Sequence, residues 1–221
     1  MGYIEEGIEY LYEALKLVKT GHPFSRCILH LLAADLLDCF RDSGTDKDIA
    51  DAIKHYRTSI SLMPEGNPEI SFILSKFARC LHILFSRTGD AAHLEESISL
   101  YRSAVEYPFC GVHDRLRAAY NWAATAHTTR HSSALTAYRK ALSLLQRAID
   151  LGPTVQTRHE YISGQDIEHF RGLPMVAASY AIESVPMRKP LRCSNKGERS
   201  CGPVCAVFAP HSITFAAPTN L

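Results

Sequence analysis

No stretch of this sequence approaches the roughly 18 consecutive apolar residues that a membrane span needs, so no transmembrane helix is expected. No charge of one sign dominates either. Across 221 residues, 24 Lys and Arg stand against 23 Asp and Glu, a formal net charge of +1. A nucleic-acid protein would carry a basic stripe or patch, so nucleic acid is not expected as a partner. Nucleophile elbow, phosphate-binding loop and dinucleotide fingerprint are all missing, and the chain is expected to be no enzyme and to need no cofactor. The paired C-x2-4-C knuckles of structural zinc sites are missing too. Cys27, Cys39, Cys80 and Cys110 lie instead in helical segments, as small buried residues do in a reducing compartment. The opening MGYIEEGIEYLYEAL is acidic and amphipathic where a secretory signal needs a basic start and an apolar run. Glu6 occupies the position where a myristoylation signal wants Ser or Thr. Together these absences predict a soluble, cytoplasmic protein.

What the sequence does contain is a period. The unit is clearest in residues 50–68, ADAIKHYRTSISLMPEGNP, and a shift of 45 superposes it on its neighbours. Ile8, Ile53 and Ile98 share a column, as do Ala14, Ser59 and Ala104, then Gly21, Gly66 and Gly111, then Ala33, Ala78 and Ala123. A fixed spacing of this length marks a solenoid, in which each unit packs only on its neighbours. Apolar residues at Ile4, Ile8, Leu11, Leu15 and Val18 give the first segment one apolar helical face. Gly21 is placed to end that helix in a left-handed residue, and Pro23 suits the first turn of the next. Helices are predicted over 3–18, 23–41, 46–63, 68–87, 91–107, 113–129 and 132–150, with a less regular pair over 155–168 and 173–184. Thr45 with Asp48 three residues on reads as a capping box, and Asp90 takes the same cap position one repeat later. Tyr101 aligns with Tyr138 only 37 residues on, so eight residues are lost there.

The columns resemble the tetratricopeptide repeat. The first full unit has Leu32-Ala33 and Leu36 on one helix, then Ala52, Tyr56, Ser59 and Pro64. The second has Phe77-Ala78 and Leu81, then Ser97, Tyr101 and Ala104; the third has Trp122-Ala123, then Ala134, Tyr138 and Ala141. Small residues let helix axes approach, and the aromatic fills the space between hairpins. The family norm is about 34 residues, so the first two units are read as carrying insertions in the turn between helices and in the link to the next unit. With their G-H/N-P links and T/S-G-D/T turns, they look like the arrays that precede the CHAT (caspase-like) domain of many fungal proteins. The resemblance implies an all-α fold, a right-handed α-solenoid of antiparallel helix pairs. Residues 1–184 would comprise a half repeat (1–21), repeats at about 22–66, 67–111 and 112–152, and an irregular pair (153–184). An unrelated bundle of α-hairpins is the alternative.

In the family, ligands lie along the first helix of each pair. Those positions include His30 and Asp38, then Ser75, Arg79 and His82, then Arg117, Tyr120 and His127. The arginines and histidines would make a mildly basic groove for an extended protein segment bearing carboxylates. The same residues could equally be solvated helix positions. The resemblance implies a protein–protein scaffold, or else the regulatory repeats of a CHAT peptidase-type protein whose catalytic domain lies elsewhere. His127 and His131 stand four apart but have no evident third ligand, so they read as ordinary histidines near a helix end and no metal site is expected.

Residues 185–221 differ in composition. They hold five Lys and Arg against one Glu, five of the eleven prolines and three of the seven cysteines. Cys193, Cys201, Cys205 and His211 lack the spacing of a zinc site, although a metal-binding tail is a minor alternative. Codons chosen freely for these residues can be read in another frame as an amphipathic peptide resembling the next helix of such arrays. The expectation is a disordered tail translated out of frame, with Val176, Tyr180 and Ile182 left partly uncovered for want of a cap. Met1 likewise begins in a second helix without its first.

Overall fold

The computed structural model describes residues 2–18, 22–150, 170 and 172–184. Among them the chain forms eight helices and no strand: α1 (Gly2–Leu17), α2 (Pro23–Ser43), α3 (Asp46–Ser61), α4 (Ile70–Thr88), α5 (Ala91–Glu106), α6 (Val112–Thr128), α7 (Ala134–Asp150) and α8 (Leu173–Ser184). The helix expected over 155–168, the stop at Gly21 and the tail with its three cysteines and His211 lie outside the described residues. No described helix is long and apolar enough to cross a membrane.

Packing follows chain order. α2 pairs with α3, α4 with α5 and α6 with α7, and the pairs stack through α3 on α4 and α5 on α6. α1 packs on α2 and α8 on α7, which makes an all-α array of helix pairs. The period read from the sequence is written into the backbone. Gly44 and Gly89, 45 apart, both take φ +71° at the end of a first helix, and their N–H groups bond Phe40 O and Phe85 O at 2.8 Å. A side chain would be strained in that left-handed region. At Gly44 a Cβ would also meet the Arg87 guanidinium at 2.9 Å.

The insertion between the paired helices turns out to be helical. In the first two pairs, ten helical residues follow the column alanine (Ala33 or Ala78) and ten precede the column tyrosine (Tyr56 or Tyr101), across a turn of two residues. In the third pair those numbers are five and four, across a turn of five. The turn was therefore not lengthened; both helices of the longer units are extended by more than one turn each. Helix is favoured there because apolar residues at Leu36, Leu37, Phe40 and Ile49 keep the hairpin tip paired and buried. The shorter third pair closes with Arg130 at φ +53°, where the longer hairpins have glycine.

The capping box did not form. The Thr45 hydroxyl is engaged by Ser43 Oγ at 2.9 Å, and it makes no cap bond to the helix. Asp90 does cap, accepting from Ala92 N at 2.9 Å.

Buried serines hold the pairs together. Ser59 Oγ donates to Arg26 O and Ser71 Oγ donates to Ala104 O, both at 2.9 Å. Ser59 and Ala104 share one column, and Arg26 and Ser71 share another, so both bonds span the same point of closest approach. The hydroxyl has merely changed helix. Ser97 Oγ adds a bond to Ala78 O at 2.7 Å.

The column aromatics Tyr56, Tyr101, Trp122 and Tyr138 are buried, and so are Ala33, Ala78 and Ala123. Tyr56 is 1% exposed and stacks on Phe77 with ring centroids 5.7 Å apart. Its hydroxyl finds no hydrogen-bond partner among the described residues, and burial pushes its pKa far above the usual range. Tyr101, one repeat on, has Thr125 as a hydrogen-bond partner. Removing an unpaired buried hydroxyl relieves a desolvation cost, whereas removing a paired one loses a bond. Tyr56→Phe is therefore expected to raise stability by up to about 1 kcal/mol, and Tyr101→Phe to lower it by about 0.5–1.5 kcal/mol. Urea denaturation midpoints of the two variants check both signs.

Candidate functional site

The first helices of the pairs lie side by side: α4 packs on α6 and touches α2. This shared wall carries the residues read as groove positions. On α2, His30 is half-buried and its Nδ1 has no hydrogen-bond partner among the described residues. It lines a recess of about 320 Å³ with Pro68, Glu69, Phe72, Ile73 and Asp114. Asp38 is exposed and pairs with Arg41 at 3.3 Å. On α4, Ser75 is buried, and its hydroxyl accepts from Asn121 Nδ2 of α6 at 3.4 Å. Arg79 and Arg117 are exposed. Tyr120 is half-buried, edge-on to Phe170 with centroids 5.3 Å apart.

The source of positive charge differs from the expectation. His82 is half-buried, and burial lowers its pKa, so it stays neutral at physiological pH. His127 shares a 2.6 Å hydrogen bond with the Tyr138 hydroxyl and lies against the Tyr180 ring. The third cation is Lys76, which stands one place after the family column at Ser75. Burial and then the charges of Arg79 and Arg117 push its ammonium below the ordinary lysine range, while Asp38 acts the other way. Lys76 Nζ also lies over the Phe72 ring, 5.2 Å from its centroid. Among the described residues, none of Lys76, Arg79 and Arg117 has a carboxylate within ion-pair distance. The wall thus runs from the Asp38 carboxylate on α2 to cations on α4 and α6. Asp35, whose carboxylate lies beside Gly7 of α1, is held above the usual carboxylate range, by burial first and then by Asp38.

His127 and His131 serve separate networks. Trp122 Nε1 donates to Ser133 Oγ at 3.0 Å, and that hydroxyl lies 2.7 Å from His131 Nδ1. Ser133 N also donates to His131 Nδ1, which makes that nitrogen the acceptor and leaves the proton on Nε2, facing Glu95 Oε1 at 3.2 Å. No group of three or more metal-ligating side chains occurs among the described residues.

Burial lowers the pKa of His30, His55 and His82 alike. As pH falls through about 6.5, the unfolded chain takes up protons that the folded chain refuses. Stability should therefore drop between pH 7.5 and 5.5, and His82→Gln should shrink that drop. Thermal unfolding followed by circular dichroism at the two pH values measures it.

No family model matches the chain, and no curated protein matches it. Among solved structures, the chain is similar to a de novo designed helical repeat protein, at 17% identity and a TM-score of 0.34, over 81% of this chain and 80% of that one. It is also similar to a chain of the DHF119 filament, at 17% identity and a TM-score of 0.30, over 80% of each.

Proposed function

We propose that this helical-repeat array is a non-enzymatic, cytoplasmic protein-binding module that holds an extended, carboxylate-bearing partner segment along the wall of α2, α4 and α6. One observation carries the reading: Lys76, Arg79 and Arg117 share one wall without a described ion pair, and after burial the two arginine charges add to the depression of the lysine. Unneutralised like charges repel, and an anionic segment relieves that repulsion through charge-assisted hydrogen bonds. A place beside a CHAT domain rests on the links and turns of the sequence alone.

The test is fluorescence anisotropy with a labelled Glu/Ser peptide, against a Lys/Ser peptide of the same length. The acidic peptide should bind, and added salt should weaken it. Arg79→Glu with Arg117→Glu should cost about tenfold or more in affinity, with helicity intact. Unchanged binding in the double variant would move the contact off this wall.

A further inference from the structure

A second feature lies further along the same wall, where α6, α7 and the start of α8 line an open pocket of about 270 Å³. Tyr120, Ala124, His127, Tyr138, Leu173 and Val176 supply most of its surface. Tyr180 backs it, its ring 4.7 Å from His127 and 5.6 Å from Tyr138. His127 Nδ1 and the Tyr138 hydroxyl share a 2.6 Å hydrogen bond, and Thr128 Oγ1 donates to Ala124 O at 3.0 Å. None of the described lining residues is an acid, lysine or arginine. A wall without a charged side chain among its described residues, and with a mainly aromatic and aliphatic surface, favours a neutral, apolar guest.

Size narrows the choice. An apolar cavity of about 150 Å³ holds benzene, and drug-sized ligands need about 300 Å³ or more. A single large aromatic side chain fits between these limits. Position narrows it again. Arg117 precedes Tyr120 by three residues and Ala124 by seven, about 5–10 Å along α6. An extended chain covers that distance in about two or three residues.

We infer that this pocket takes an aromatic side chain of the partner segment, two or three residues from the carboxylates that face Arg79 and Arg117. The inference rests on the groove reading for its second half only. The pocket and the cations can therefore be tested separately on the full chain.

The first probe is 3-methylindole, followed by saturation-transfer NMR, with tetramethylammonium as the cationic counterpart. Ala124→Trp fills the pocket from an exposed position, and Val176→Trp fills it from α8, where Val176 is 41% exposed. The 3-methylindole signal should be present in the parent chain, lost in both tryptophan variants and kept in the Arg79→Glu/Arg117→Glu variant. An indole signal that survives both pocket fillings, no signal in the parent, or displacement of the indole by tetramethylammonium would overturn the inference. The second probe is a labelled Glu-Glu-Ser-Ser-Trp peptide. It should bind about tenfold tighter than the same peptide with alanine in place of its tryptophan, and Ala124→Trp should erase that difference alone. Equal binding of the two peptides sinks the inference while the groove reading stands. Binding of 3-methylindole without binding of either peptide supports the pocket and overturns the groove reading.

Discussion

Trp122→Ala should cost about 3–5 kcal/mol of folding free energy, the range for deleting a buried aromatic side chain. Trp122 is 1% exposed and sits in the larger of the two apolar clusters, to which α5, α7 and α8 also contribute residues. The loss has three parts: ring burial, the cavity left behind, and the Nε1 bond to Ser133. That bond is the first link of the chain through Ser133 and His131 to Glu95, so its loss also loosens the α6–α7 turn. Arg102 lies over the indole with its guanidinium carbon 5.5 Å from the centroid, and it would lose that cation–π contact as well. Against a typical total of about 5–15 kcal/mol, the variant should be marginal at 37 °C. Trp122→Phe keeps most of the ring and removes only the donor, so it should cost about 1–2 kcal/mol. Circular dichroism in urea measures both. Because Trp122 is the only tryptophan in the chain, parent fluorescence reports on the same site independently. A cost below about 1 kcal/mol for the alanine variant would mean that the ring is not the filler of the third hairpin.

The columns that made this site legible in the sequence were local and repeated. Ala33, Ala78 and Ala123 could be aligned because close helix approach demands a small residue at the same point of each hairpin. The glycine stops at Gly44 and Gly89 were equally readable, because a left-handed residue is a property of the backbone itself. Where the extra residues of the long units go was harder to read. Extending two helices and lengthening a turn leave the same gap in a column alignment, and only the pairing of Phe40 and Ile49 across the hairpin distinguishes them. Lys76 was not legible because the family columns take about one residue per turn, while a long flexible side chain reaches the wall from the neighbouring position. The aromatic pocket was beyond the sequence for a different reason. Tyr120 and His127 were read as groove, Tyr138 as packing and Tyr180 as part of an irregular pair, and only the fold brings the four rings together.

Leucine at the column alanines should test the register residue by residue. Ala78 has no exposed surface, and its carbonyl accepts from Ser97 Oγ at 2.7 Å, so α4 and α5 are nearly in backbone contact there. Three extra carbons at that point must push the helices apart, at a cost of about 1–3 kcal/mol. The separation also stretches the serine bond, so Ala78→Leu belongs at the upper end of that range. Ala33→Leu overpacks the equivalent contact between α2 and α3, but Ala52 stands where Ser97 stands one repeat later, and no hydroxyl bond is lost. Its cost should be lower by about one hydrogen bond, 0.5–1.5 kcal/mol. Ala124, immediately after the buried Ala123, is exposed, and Ala124→Leu should stay within about 0.5 kcal/mol of the parent. The order Ala78 above Ala33, with Ala124 near zero, follows from the placement of single side chains on each helix. A register wrong by one residue would invert the contrast between Ala123→Leu and Ala124→Leu, and urea midpoints of the four variants would reveal it.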